Sequence, residues 1–237
     1  MTRQDSPFHA LEVGDNPVLE VSSQEHTLQQ SLEEHMQHYR ALPNDCDELE
    51  RARLMLDIAE CHLGLDEMQQ AHDWAEQSFA TFIEREAWQE AVDACDIIYN
   101  SNQADSLIAL GNGIWLAVTF PIDASTSVQM LHHVVDETPD ESDGAAVAAM
   151  LAHYLAEVRS HDKEHQNLTF LTNQVIAQVA KRHRGIEDSR TIQTWIQMYE
   201  LDDMSKLLPR MASILDVIVG DNWWFDRDDI RSRLPVN

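Results

Sequence analysis

Apolar residues along the stretch from Asp47 to Phe120 recur at helical spacing, and no convincing run of period-two alternation appears anywhere in the 237-residue chain. Met55, Ile58, Ala59 and His62 mark one such face, and Trp88, Ala91, Val92, Cys95 and Tyr99 mark another. A pattern with helical period cannot place its apolar residues on one side of a strand. Only seven Gly and seven Pro punctuate it, while Ala, Leu, Gln, Glu and Met are plentiful, and summed propensity favours helix. The expectation is an all-α fold of about nine to ten helices, arranged as antiparallel hairpins that are either repeat-like or an irregular helical bundle.

Breakers and caps divide the chain. Pro7, Gly14, Asn16 and Pro17 make residues 1–24 a flexible N-terminal arm, with a first helix from near Ser23 to about Leu42, where Pro43 stops it. Gly64 reads as the next stop and Asp66 as the cap of a helix running through Phe82. Gly111 and Gly113 weaken a helix from Leu107 to Phe120 and mark a close helix crossing. The run from Asp136 to Gly144 reads as a solvated acidic loop and a subdomain boundary. Beyond it, Ala145–Gln166, Leu168–Arg184, Asp188–Tyr199 and Met204–Val219 read as helices. The expected organisation is an arm (1–24), an acidic helical subdomain (25–143), a second helical subdomain (144–220) and an aromatic C-terminal tail (221–237).

Shifting the sequence by 34 residues superimposes Ile58 on Val92, Cys61 on Cys95, Leu63 on Ile97 and Ala75 on Ala109. Small residues at Ala59, Ala71, Ala75 and Ser78 let two helices approach closely. With the turn at Gly64-Leu65, residues 52–85 resemble a tetratricopeptide repeat, and residues 86–121 a degenerate second unit. The sequence departs from that pattern in places: Ile58-Ala59 stands where the family has Leu-Gly, Met55 replaces its Trp, and His62 its Tyr. The terminal Pro is absent, Asp105 falls opposite Ala71, and no such period continues through residues 122–237. The resemblance implies a concave surface that holds a peptide or a partner protein. An ordinary antiparallel bundle stays open as the alternative.

Charge is distributed unevenly. Residues 47–143 carry 21 Asp and Glu against three Arg and no Lys, most of the chain's formal net charge of −26. Such a field repels phosphate backbones and anionic headgroups, so neither nucleic acid nor a membrane surface is an expected partner. A basic protein client is favoured, and a halotolerant, merely solubilising surface is the other reading. Three cysteines without a Cys-x-x-Cys pair, and no apolar leader at the N-terminus, point to a reducing cytoplasm. The longest apolar stretches fall well short of the ~20 residues that cross a bilayer.

No motif fixes a reaction. The chain lacks a nucleophile elbow and a phosphate-cradling glycine loop, so no catalytic residue, cofactor or metal is assigned and the chain is not expected to be an enzyme. His153, Glu157, His161 and His165, each four residues after the last, would stack along one helix face, which gives a metal-binding alternative. His132-His133 beside the acidic loop suggests pH sensitivity, and Glu34/His38 and His72/Glu76 read as surface pairs. Lys181-Arg182-His183-Arg184 reads as a helix C-terminal cluster or a docking point for an acidic segment, including the molecule's own. Candidate partner contacts are Glu60, His62 and Glu67 in the first hairpin and the aromatic run Trp223, Trp224 and Phe225, which otherwise tucks into the core. The reading from residues is an adaptor, assembly factor or chaperone for a specific client. A DNA-mimicking inhibitor, its carboxylates copying phosphate spacing, is a further alternative.

Overall fold

The computed structural model describes residues 17–234, with side chains from residue 25; residues 1–16 of the expected arm and the last three residues of the tail lie outside the described residues. Eleven helices and no strand occur among the described residues. They are α1 (Pro17–Ala41), α2 (Glu48–Gly64), α3 (Met68–Glu84), α4 (Trp88–Asn100), α5 (Ser106–Thr119), α6 (Ala124–Glu137), α7 (Asp143–Arg159), α8 (Asp162–Arg184), α9 (Ser189–Met198), α10 (Met204–Val219) and α11 (Arg227–Ser232). The first helix starts at Pro17 rather than near Ser23. Proline suits a first helical position because its missing N–H has no intrahelical partner there anyway.

Helices α2 to α7 form three consecutive antiparallel hairpins stacked side by side. Side chains one hairpin apart meet at regular sequence separations: Arg53 with Glu90 (37 residues), His72 with Asp105 (33), Gln89 with the Asp123 amide (34) and Tyr99 with Glu137 (38). Of the pairs that the 34-residue shift superimposes, Ile58 and Val92, Cys61 and Cys95, and Ala75 and Ala109 are buried at both positions, whereas Ile97 is buried and Leu63 only partly so. The third hairpin continues this stacking past residue 121, where the sequence shows no period. Helix α7 hides it, because alanines on all its faces are buried and no single stripe stands out.

Three of the turns follow one chemical rule. After α2, α3 and α9 a residue adopts a left-handed conformation (Asp66 φ 58°, Glu86 φ 57°, Glu200 φ 53°), and the next amide bonds back five residues. Those bonds run from Glu67 to the His62 carbonyl, Ala87 to Phe82 and Leu201 to Ile196, at 2.9–3.0 Å. Each satisfies a carbonyl that the helix end would leave bare. This corrects the expected stop: Gly64 is the last residue of α2, Asp66 is the left-handed terminator, and Asp66 does not cap α3. A Cβ on Gly64 would stand 3.0 Å from Leu28 of α1, so this glycine serves a helix contact.

The second correction lies at Ser160. Helix α7 ends at Arg159, where the Ser160 hydroxyl donates to the Ala156 carbonyl (2.5 Å) and His161 turns extended (φ −135°). The expected helix 145–166 is therefore split, and α8 begins at Asp162 instead of Leu168.

Helices α10 and α11 with the intervening tail complete the outer layer. Helix α10 packs on α5 and α7. A Cβ on Gly111 would lie 2.3 Å from a Val219 methyl, and one on Gly113 would meet Met130 (2.5 Å) and Cys95 (2.7 Å), so α5 crosses α10, α4 and α6 closely at both glycines. One apolar core runs from Ala52 in α2 to Ile230 in α11, spanning both sides of the acidic loop. A smaller one of Ala59, Ala71, Ala75, Ile97, Ile98 and Ala109 seals the first two hairpins.

Candidate partner-binding face

The first helix of each hairpin, α2, α4 and α6, packs beside the next, and α8 continues the row. Arg53, Leu56, Asp57, Glu60 and Leu63 share one face of α2 through i, i+3, i+4 spacing, and Glu90, Asp93, Asp96 and Ile97 share the matching face of α4. With Gln129 of α6 they line an open groove of about 660 Å³. Its floor is apolar at Leu56, Leu63 and Ile97, and its walls hold five carboxylates.

Among the described residues the one arginine lining the groove, Arg53, is already engaged by Glu90 at 2.6 Å. Asp96 accepts from Gln129 (2.9 Å) and faces His133 Nε2 at 3.0 Å, and Asp57 has His35 at 4.0 Å. Asp93 is half-buried and accepts from Gln89 (3.0 Å). Burial, and then repulsion from Asp96, Glu90 and Asp123, push its carboxyl from 3.8 up to about 6.

Of the residues singled out from sequence, Glu60 lies in this groove. His62 and Glu67 face each other at the α2–α3 corner, Nδ1 to Oε2 2.5 Å, with His62 only 9% exposed; together with the Glu67-to-His62 backbone bond they fasten the turn. Trp223, Trp224 and Phe225 fold back on the body. Trp224 meets Phe79 of α3 edge-on (5.2 Å), Phe225 meets Trp115 of α5 (5.3 Å), and Arg227 lies 3.8 Å over the Trp223 ring. The buried amide of Asn112 accepts the Trp224 N–H (3.1 Å) and fixes this segment between α3 and α5.

Sequence reasoning missed Asp57, Glu90, Asp93 and Asp96 as a set. A signal was present: Asp57 and Asp93, like Glu60 and Asp96, stand 36 residues apart, close to one hairpin period, and each pair continues its own i, i+3 row. His72 also reads differently. It is buried and pairs with Asp105 at 2.9 Å across the hairpins, not with Glu76 on the surface.

The His/Glu stripe is corrected by the break at Ser160. The turn brings His165 to 3.8 Å from Glu157 and leaves His153 3.9 Å from the same carboxylate, while His161 caps α8 outside the trio. His153 Nδ1 also lies 2.9 Å from the Thr172 hydroxyl, and burial lowers its pKa toward the neutral ring. Among the described residues no group of three or more His, Cys, Asp or Glu can hold a metal ion, and no helix is long and apolar enough to cross a membrane.

The basic cluster closing α8 serves the molecule's own acidic loop. Arg182 donates to the Val135 and Thr138 carbonyls (2.7 and 3.3 Å), His183 Nε2 lies 3.0 Å from the Glu141 carbonyl and 3.1 Å from Asp143, and Arg184 reaches Asp143 at 3.8 Å. No family model, no curated protein and no solved structure matches this chain.

Proposed function

We propose that the chain is a tetratricopeptide-like scaffold that binds a basic segment of a client protein in the groove of α2, α4 and α6, as an adaptor, assembly factor or chaperone. One observation supports the reading: among the described residues, five groove carboxylates have a single arginine in the lining, and it is already paired with Glu90. Lysine or arginine side chains entering the groove supply the missing counter-charge, and the apolar floor contacts their stems. The same field disfavours nucleic acid.

Fluorescence anisotropy with labelled Lys/Arg-rich peptides, against Glu-rich and neutral peptides of equal length, tests this. Basic peptides are expected to bind preferentially, to dissociate as salt rises, and to lose about tenfold in affinity with Asp57→Asn plus Glu60→Gln, two exposed sites whose change leaves the circular dichroism spectrum intact. Equal binding of all three peptide classes, or affinity indifferent to the double substitution, would refute the reading.

A further inference from the structure

Next to the acidic groove lies a cavity of about 360 Å³ between α6, α7 and α8. Leu168, Leu171, Thr172 and Val175 of α8 line it at i, i+3, i+4 and i+7, with Thr172 and Val175 buried at its floor and Leu168 and Leu171 nearer solvent. Val128 and Val135 of α6 and two alanines of α7 form the other walls, and Leu171 at the rim is 47% exposed. An apolar pocket with a few polar groups at its edge is the usual form of a site for an apolar group. The volume is more than twice the ~150 Å³ of a cavity that holds benzene, which suits an indole or a pair of aliphatic side chains.

The cavity adjoins the groove, and the two share one lining residue. Gln129 lines both, donating to Asp96 on the groove side while its stem borders the cavity, and His133 borders the cavity while its Nε2 faces Asp96. One partner segment crossing α6 would therefore meet carboxylates on one side and aliphatic walls on the other.

We infer that the α6–α8 cavity receives a large apolar side chain of the same client segment whose basic residues occupy the α2–α4 groove. The partner class is thereby narrowed to a bipartite peptide, an aromatic or large aliphatic anchor beside a Lys/Arg cluster; this rests on the groove reading above. Neighbouring helices stand roughly 8–10 Å apart, so the cluster lies one to two helix spacings from the anchor. An extended chain covers that in about three to six residues.

The experiment is a double-mutant cycle by anisotropy. The probes are a labelled synthetic peptide with a Lys-Arg cluster and one Trp about five residues away, the same peptide with Trp replaced by Ala, and the Trp peptide with its basic residues replaced by Gln. The proteins are the native chain, Leu171→Gln at the exposed rim, and Glu60→Gln in the groove. The inference expects Trp to tighten binding at least tenfold on the native chain, and Leu171→Gln to abolish most of that gain. Glu60→Gln should weaken both basic peptides by the same factor. Val128→Trp, which fills the cavity from α6, is a second variant, expected to remove the Trp gain while leaving binding of the Ala peptide unchanged. If both basic peptides bind equally on every protein, the inference fails and the groove reading stands. If the Gln peptide binds as tightly as the Lys-Arg peptide, the groove reading fails, and the cavity is a separate apolar site.

Discussion

Two acidic regions come from the same stretch of sequence and meet opposite fates. In the loop joining α6 to α7, Asp140 and Asp143 face Arg182, His183 and Arg184, and three backbone carbonyls nearby are contacted by Arg182 and His183. In the groove, Glu90 has Arg53, Asp57 and Asp96 have histidines, and among the described residues no cation is within ion-pair distance of Glu60 or Asp93. Formal charge therefore says little about which carboxylates are available. Two of the loop's carboxylates, Asp140 and Asp143, face the chain's own basic cluster, whereas Glu60 in the groove is exposed with no cation at ion-pair distance among the described residues.

The largest expected effect breaks the loop side. The Arg182 side chain is 19% exposed and bonds two carbonyls near the C-terminal end of α6. Arg182→Ala leaves those acceptors bare and is expected to cost about 2–3 kcal/mol in urea unfolding, since hydrogen bonds to charged groups contribute about 1.5–3 kcal/mol. Arg182→Lys should recover only part of it, because an ammonium cannot reproduce the guanidinium fork.

A change of opposite sign sharpens the groove side. Asp93 has its folded-state pKa raised from 3.8 to about 6, so between those values the folded chain holds a proton that the unfolded chain releases. Stability from this group is fully present below about pH 4 and is lost as pH rises through about 6. Asp93→Asn removes the buried charge while keeping an acceptor for Gln89. It should stabilise the protein by about 1–2 kcal/mol at pH 8 and make no difference near pH 3.5. Thermal unfolding of both proteins across that range checks it, and an unchanged difference at all pH values would mean that Asp93 is not strained.

Much of the fold was legible because it depends on helical period and small residues. Ala59, Ala71, Ala75 and Ser78 were expected where helices approach and all have no exposure, and the two glycines of α5 mark the close crossings they suggested. What was illegible depended on long-range partners. Gly64 looks like a stop until Leu28 is seen against it, and the helix end is set two residues later by an aspartate, which adopts a left-handed turn less readily than glycine. The His/Glu stripe assumed an unbroken helix, and a serine bonding its own backbone broke it. The groove was missed for a related reason. Its carboxylates look like ordinary solvated surface until stacking places α2 beside α4, and only then do two i, i+3 rows become one wall.

The smallest effect separates neighbours within the basic cluster. Lys181 pairs with Glu187 at 2.9 Å, but both side chains are about two-thirds exposed, at 67% and 70%. Water screens such a pair, and holding two long side chains in one geometry costs entropy that offsets the attraction. Lys181→Ala is therefore expected to change stability by less than about 0.5 kcal/mol, and that small change should fade in high salt. Adjacent cations in one cluster would then differ severalfold in what they contribute, according to whether they reach buried carbonyls or solvent-exposed carboxylates. A loss at Lys181 comparable to that at Arg182 would mean that net charge, rather than capping of the α6 end, holds the loop, and the contrast between loop and groove would collapse.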